Sequence, residues 1–219
     1  MGRAVARSCA VAHALCLLCC ASGCVSYGSH LGTAPLPSGS RELSLAADGL
    51  LVDRGLGPQL LPNPEVGYRI GVGHELDVGA RLNVGSLELS GRWRFLQGDV
   101  SLALVQGLGF GFVPVTNRDT GLFNAHWLTS LLVGTPVTRT SELVFGMRGA
   151  MTYAFPLTAF RGDASEATTY WLGGGEAGYR FAIGKEVYLF PQLTALRAYD
   201  TRAGEWLYPT LQGGVALQL

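Results

Sequence analysis

The chain has 219 residues, enough for one domain with a full-sized interior. Charged residues make up only 15% of it, against about 25% in soluble domains, so much of the surface is not expected to face water. The formal net charge is zero, which gives no reason to expect a nucleic-acid partner. All five cysteines lie at or before Cys24, which excludes a disulfide framework or a cysteine-based metal site in the rest of the chain.

Residues 1–23 have the composition of an export signal. Two arginines precede an apolar stretch over residues 10–21, which is shorter than the roughly 20 residues of a membrane-spanning helix. The stretch ends in Ala21-Ser22-Gly23-Cys24, which resembles the lipobox of bacterial lipoproteins, although that family usually has Leu in place of Ala21. The resemblance implies that Cys24 becomes the first mature residue and carries a covalent lipid. The alternative is an ordinary signal peptide cleaved after Gly23.

Residues 24–40 are rich in Gly, Ser and Pro and have no hydrophobic period, which predicts a flexible tether. From residue 41 to 219, apolar residues alternate with polar or small ones. A period of two indicates half-buried strands, and short turns make successive strands antiparallel. Ten strands are predicted, at about residues 42–52, 65–73, 76–84, 87–96, 99–112, 122–134, 142–155, 168–183, 187–198 and 206–218. The pattern therefore predicts an all-β domain over residues 41–219, an antiparallel up-and-down (meander) barrel.

The connections between the predicted strands alternate in length. The turns after strands two, four, six and eight are compact, whereas long loops are expected at residues 53–64, 113–121, 156–167 and 199–205. Only the short turn Gly85-Ser86, after strand three, breaks this alternation. Short turns at one end and long loops at the other resemble bacterial outer-membrane barrels. The resemblance implies a transmembrane β-barrel whose short turns and lipid-anchored N-terminus are periplasmic and whose long loops lie outside the cell.

Two short turns predict the register of neighbouring strands. Gly85-Ser86 suits a two-residue type II′ hairpin turn, which would place Asp77 opposite Arg94. Gln97-Gly98 would in turn place Arg94 opposite Ser101. Large arginines would then face small residues, as a narrow interior requires.

The alternation does not by itself say which face of the barrel is outside. A lipocalin-like soluble barrel encloses its apolar face, whereas a membrane barrel turns that face toward lipid. The polar face is rich in small residues and poor in charge, which favours the apolar face outward. The lumen would then hold a charge-compensated network of Arg69, Asp77, Arg81, Glu88, Arg92, Arg94, Glu176 and Arg180. Glu176 and Arg180 are expected to form an ion pair, and a lumen so filled is not expected to be an open pore.

His126 is the one histidine expected within a strand, where it shares a face with Asn124 and Ser130 and follows Asp119 in the preceding loop. Outer-membrane proteases of the omptin type are ten-stranded barrels with an Asp–His pair near the rim, and lipid A deacylases use His and Ser. Neither family's motif is present here. A hydrolase with His126 at the rim is therefore kept as an alternative, and no catalytic residue, metal site or cofactor is predicted.

The sequence thus predicts a non-enzymatic β-barrel lipoprotein of the bacterial outer membrane with a structural or surface-recognition role. Val25 rather than Asp follows Cys24, which by resemblance to enterobacterial lipoprotein sorting favours the outer membrane. The expected partners are outer-membrane lipid and the covalent lipid at Cys24, and no particular protein partner is indicated. The alternatives are the hydrolase and a lipid-anchored, lipocalin-like carrier of an apolar ligand.

Overall fold

The computed structural model describes residues 30–53, 58–83, 85–114, 121–156, 167–207 and 209–219. Within them the chain forms eleven strands: β1 Arg41–Asp53, β2 Pro58–Gly71, β3 Leu76–Asn83, β4 Ser86–Leu96, β5 Ser101–Pro114, β6 Gly121–Thr138, β7 Ser141–Pro156, β8 Thr168–Ala182, β9 Tyr188–Asp200, β10 Glu205–Trp206 and β11 Thr210–Gln218. No helix in this part of the chain is long and apolar enough to cross a membrane.

The strands form one closed antiparallel sheet. Each strand from β1 to β9 pairs with the next along the chain, and β11 pairs with both β9 and β1. The two-residue β10 pairs with β9 beside β11. Because β10 and β11 pair with the same strand, β9, they count as one strand of the wall, and the wall is therefore ten strands around. The predicted ten-stranded up-and-down barrel is confirmed.

The two ends of the barrel differ. At the turn end, β1 begins, β11 ends, and the connections are the turns at residues 72–75, 97–100, 139–140 and 183–187. The loop end carries the connections between β1 and β2, β5 and β6, and β7 and β8. Most of the residues in the last two connections, 115–120 and 157–166, lie outside the described residues.

Apolar side chains cover the outside of the wall. Along β4, Leu87, Leu89 (52% exposed) and Trp93 point outward, while Glu88 and Arg92 are buried inside. The same alternation along the other strands leaves exposed Leu, Val, Phe and Trp on the outer surface. An apolar outside suits lipid, and it is the reverse of the arrangement in a lipocalin-like carrier.

Outward-facing aromatic side chains, some exposed and some partly exposed, lie toward both ends of the wall. Those nearer the turn end are Trp93, Phe95, Phe145, Tyr179 and Phe181, and those nearer the loop end are Phe110, Phe112, Phe123, Tyr153 and Trp171. Trp127 lies between the two bands, opposite Leu108. Two aromatic bands flanking an apolar wall are typical of membrane barrels.

The turn between β3 and β4 differs from the predicted type II′ hairpin. Asp77 lies opposite Arg92 rather than Arg94. The Asn83 side-chain oxygen accepts hydrogen bonds from the backbone N–H and the hydroxyl of Ser86, both at 2.8 Å. This local bonding of Asn to the backbone organises the turn and ends β3 earlier than predicted.

The register between β4 and β5 also differs from the prediction by two residues. Arg94 lies opposite Ala103 rather than Ser101, and a bulge falls between Arg94 and Leu96. A slip of one residue would turn every side chain to the other face, whereas a slip of two does not. Arg94 therefore still faces a small residue.

The loop predicted over residues 53–64 is wrong in its second half, because β2 starts at Pro58. Pro62 and Pro64 lie where β2 extends past the end of β3 and pairs with β1 alone. Prolines are tolerated on such an edge because no further strand requires their missing N–H. The β1–β2 hairpin therefore extends beyond β3 at the loop end.

Candidate functional site in the barrel lumen

Residues 30–37, which we call the N-terminal segment, lie inside the barrel. Just before β1, the Gly39 N–H donates to the Gly71 carbonyl at the turn end (2.8 Å), and from there the segment runs into the lumen. Its buried side chains are those of His30, Leu31 and Thr33. The flexible tether predicted over residues 24–40 therefore does not describe this segment, and residues 24–29 lie outside the described residues.

Lumen side chains satisfy the backbone of the N-terminal segment. The His30 N–H donates to Gln192 Oε1 (2.6 Å), and the His30 carbonyl accepts from Gln218 Nε2 (2.7 Å). Arg92 Nη1 donates to the Gly32 carbonyl (2.8 Å). Because buried backbone polar groups need partners, these long side chains allow an irregular segment to lie in the lumen.

Leu31 packs the segment against an apolar part of the lumen. Its cluster also contains Ala46, Ala103, Val105, Leu128, Leu132, Val144, Phe190 and Ala216. Full burial of a leucine side chain is worth about 1.5–3 kcal/mol, so this contact favours the inserted segment. The sequence pattern predicts small and charged residues inside the barrel and does not predict the apolar cluster.

Asp77 is the most enclosed charge in the lumen, with none of its surface exposed. Arg69 and Arg92 each donate two N–H groups to it, one arginine to each carboxylate oxygen. The Leu36 N–H of the N-terminal segment also donates to Asp77 Oδ2 (2.9 Å). A Cβ at position 79 would collide with the Arg69 side chain, so Gly79 makes room for this cluster.

A second group of charges lies farther from the turn end. Arg81 donates to Glu88 Oε2 (2.6 Å) and to Glu65 Oε1 (3.3 Å). Arg148 Nη1 lies 3.6 Å from Glu176 Oε2. The two bonds of Arg81 link β3 to β2 and to β4, and the Arg148–Glu176 pair links β7 to β8.

Two further ion pairs lie near the turn end. Arg94 Nε donates to Glu75 Oε2 (2.5 Å), and the guanidinium holds the pKa of that carboxyl below its ordinary value. Any stabilisation from this pair is therefore present at neutral pH and is lost as the pH falls. Arg180 Nη2 lies 3.8 Å from Glu42 Oε2.

The eight residues predicted for the lumen network fall into separate clusters. Arg69, Asp77 and Arg92 form one cluster, Arg81 and Glu88 another, and Glu176 lies beside Arg148. Arg94 lies at the turn-end rim with Glu75 instead of in the lumen. The predicted Glu176–Arg180 ion pair is wrong, because residues four apart on a strand are about 13 Å apart and Arg180 pairs with Glu42.

Several lumen residues are absent from the sequence prediction. These are His30, Glu42, Asp48, Glu65 and Glu142. Glu42 and Asp48 fall on the inner face of β1 by period two, but the weak pattern of that strand concealed the signal. His30 has no such signal, because it precedes the first strand.

One of these missed groups brings a histidine and two carboxylates together. His30 Nε2 lies 2.8 Å from Asp48 Oδ1, and Gln212 Nε2 donates to Asp48 Oδ2 (2.6 Å). One ligand-type atom each from His30, Asp48 and Glu65 lies within 4.8 Å of the other two, and all three residues are buried.

His126 does not lie at an accessible rim. It is 2% exposed, and its Nε2 lies 3.7 Å from Glu88 Oε2. Asn124 and Ser130 on the same face are buried as well, and Asp119 lies outside the described residues. A histidine that acts in hydrolysis must be within reach of the substrate, so the burial of His126 does not favour a hydrolase with this residue at the rim.

Little space remains around Arg81 in the middle of the lumen. A cavity of about 20 Å³ lies between Glu65, Arg69, Arg81 and Glu88. That volume holds one water molecule. An apolar ligand of the kind expected for a lipocalin-like carrier does not fit there.

No protein-family model matches the sequence, and no curated protein matches it. Solved structures similar to the barrel include Neisserial surface protein A (11% identity, 82% of this chain and 96% of that chain, TM-score 0.43). Another is Ail, the attachment invasion locus protein of Yersinia pestis, in complex with the heparin analogue sucrose octasulfate (10%, 84% and 100%, 0.46). A third is the outer membrane protease OmpT from Escherichia coli (8%, 85% and 98%, 0.43). At these identities the likeness is one of fold alone.

Proposed function

We propose that this chain is a non-enzymatic barrel of the bacterial outer membrane, closed by its own N-terminal segment, with a structural or surface-recognition role. The observation that carries the proposal is the position of residues 30–37 inside the barrel. A barrel of ten strands is narrow, and the segment and the charged side chains occupy it. Such a protein offers its wall to lipid and its loop end to contacts outside the cell.

The shape and apolar character of the outer wall favour outer-membrane lipid as the principal partner. A mostly apolar groove of about 780 Å³ crosses the outside of β2 to β6. In it, the small residues Ala80 and Gly91 lie between the larger Tyr68, Leu108 and Trp127. Acyl chains are flexible and apolar, so they can fill a concave surface of this kind in the membrane.

The lipid at Cys24 belongs to the same proposal. Replacing the thiol removes the site of acylation, so Cys24→Ser should abolish incorporation of a labelled fatty acid, measured on the protein purified from expressing cells. Cys20→Ser is the matched control, because it changes a neighbouring cysteine within the expected signal and should leave the label in place. Equal labelling of both variants would argue for another modified residue.

The direction of the N-terminal segment constrains the end of the barrel at which a lipid on Cys24 would lie. The segment runs from the turn end to His30 beside Asp48, near the middle of β1. Residues 24–29 can span at most about 20 Å, so a lipid at the periplasmic turn end requires the chain to reverse its direction, whereas one at the loop end does not. Access of a membrane-impermeant reagent to a tag placed after Cys24, in intact and in permeabilised cells, decides between them.

Closure of the lumen is tested by conductance. The protein in planar bilayers should give no stable current steps, because the lumen is occupied. In Gly71→Leu, the new side chain would overlap the backbone oxygens of Leu36 and Pro37, so the N-terminal segment must move and conductance should rise.

Gly73→Leu is the matched control for this experiment. A Cβ at position 73 meets only the Leu76 Cβ, at 3.9 Å, so the segment stays in place and the bilayer should stay silent. Wild-type protein that conducts as readily as Gly71→Leu would show that residues 30–37 do not close the barrel.

A further inference from the structure

We infer a binding site for one divalent transition-metal cation of the zinc type, formed by His30, Asp48 and Glu65 inside the lumen. His30 comes from the N-terminal segment, Asp48 from β1 and Glu65 from β2. The site requires residues 30–37 to lie in the barrel, as the proposed closure does, but it does not depend on placement in a membrane.

Unpartnered polar atoms surround this position. Glu65 Oε2 and His30 Nδ1 are buried and have no hydrogen-bond partner among the described residues. The same holds for Oδ1 of Asn63, which lies opposite Asp48 in the β1–β2 pair. These three residues are at least 95% buried. Buried acceptors without donors are costly, and a cation held by His30, Asp48 and Glu65 would give the Glu65 carboxylate a partner.

The charge balance of the lumen points the same way. Leaving aside the Arg94–Glu75 pair at the rim, the carboxylates in the described lumen are Glu42, Asp48, Glu65, Asp77, Glu88, Glu142 and Glu176. The guanidinium groups there are Arg69, Arg81, Arg92, Arg148 and Arg180. The carboxylates exceed the guanidinium groups by two. One divalent cation compensates that excess. Asp48 is bonded to His30 and Gln212 and, like Glu142, has no arginine partner among the described residues.

The donor set selects the class of cation. One imidazole nitrogen and two carboxylate oxygens are ligands that zinc accepts in three-residue sites, whereas calcium and magnesium prefer oxygen ligands alone. A cation held in this way would fasten the N-terminal segment to two strands of the wall.

Metal analysis of the full chain tests the site. Protein purified from membranes in mild detergent is stripped with a chelator, titrated with zinc, and its bound zinc is measured by mass spectrometry. We expect one zinc per chain in the wild type at the lumen site. His30→Gln should weaken that binding by more than the roughly 10–100-fold that loss of an outer-sphere partner costs.

Two histidine variants serve as matched controls. His126→Gln removes a histidine that is also buried in the lumen but lies beside Glu88, and His74→Gln removes an exposed one; both should bind zinc like the wild type. The cysteines are the same in all variants, so thiol binding cannot produce the difference. Asp48→Asn is a second ligand variant, should His30→Gln fail to fold.

The metal should also hold the N-terminal segment in place. Zinc should protect residues 30–40 from limited proteolysis in the wild type and in His126→Gln, and should not do so in Asp48→Asn. Folded wild-type protein that binds no zinc beyond its thiols, or binding that survives unchanged in both ligand variants, overturns the site and leaves a His30–Asp48 ion pair.

Discussion

Asp77→Asn should destabilise the folded barrel by about 3–5 kcal/mol, the usual cost of removing one partner from a buried ion cluster. The substitution keeps the shape of the side chain, so no cavity contributes. It leaves Arg69 and Arg92, both buried, facing a neutral amide. The free energy of unfolding can be measured in guanidinium with phospholipid vesicles, using tryptophan fluorescence.

Glu75→Gln is the matched control for Asp77→Asn. It also neutralises a carboxylate that pairs with an arginine, but the Glu75 side chain is 40% exposed. Exposed ion pairs contribute about 0–1 kcal/mol, so this variant should unfold almost like the wild type. Equal and small effects of the two substitutions would mean that water reaches Asp77 and that the lumen is not enclosed there.

The wall of the barrel could be predicted from sequence because its signal is local. β3 was expected at residues 76–84 and spans Leu76–Asn83, since apolar and polar residues alternate strictly there. β2 was expected to start late because Pro62 and Pro64 read as a loop. Those prolines are compatible with a strand only because β3 ends before them, which is a property of the neighbour and leaves no local trace.

The partners of the charged residues could not be predicted in the same way. Period two assigns Glu176 and Arg180 to the inner face, but the stagger of the strands decides which charges meet. Glu176 meets Arg148 and Arg180 meets Glu42, and each pair joins different strands. A pattern along one strand contains no information on that stagger.

The N-terminal segment is the feature that sequence analysis misses most completely. Its backbone partners Gln192 and Gln218 lie 162 and 188 residues away from His30. A segment held by side chains so distant needs no periodicity of its own, and its Gly and Pro content resembles that of a linker. The candidate site depends on this segment, so only the fold could reveal it.

Leu89→Arg should cost about 2–4 kcal/mol of folding free energy if the apolar wall faces lipid at mid-depth. Leu89 is 52% exposed and lies opposite Ala80 and Leu108, between the two aromatic bands. Leu104 is a less direct test because it is only partly exposed and lies opposite Trp93. The penalty arises because an arginine at that depth must keep its charge in hydrocarbon. Folding into vesicles at increasing guanidinium concentration measures it.

Leu76→Arg is the control that separates depth from chemistry. It makes the same substitution on the same outer face, but Leu76 is the first residue of β3 at the turn end. Near the membrane interface the cost falls to about 0–1 kcal/mol, so Leu76→Arg should assemble almost normally. A wall that faced water would accept arginine at both positions, and two harmless variants would therefore refute the membrane placement. A large penalty at Leu89 with a small one at Leu76 is the result that lipid explains, because lipid makes the cost of a charge depend on its depth along the outer wall.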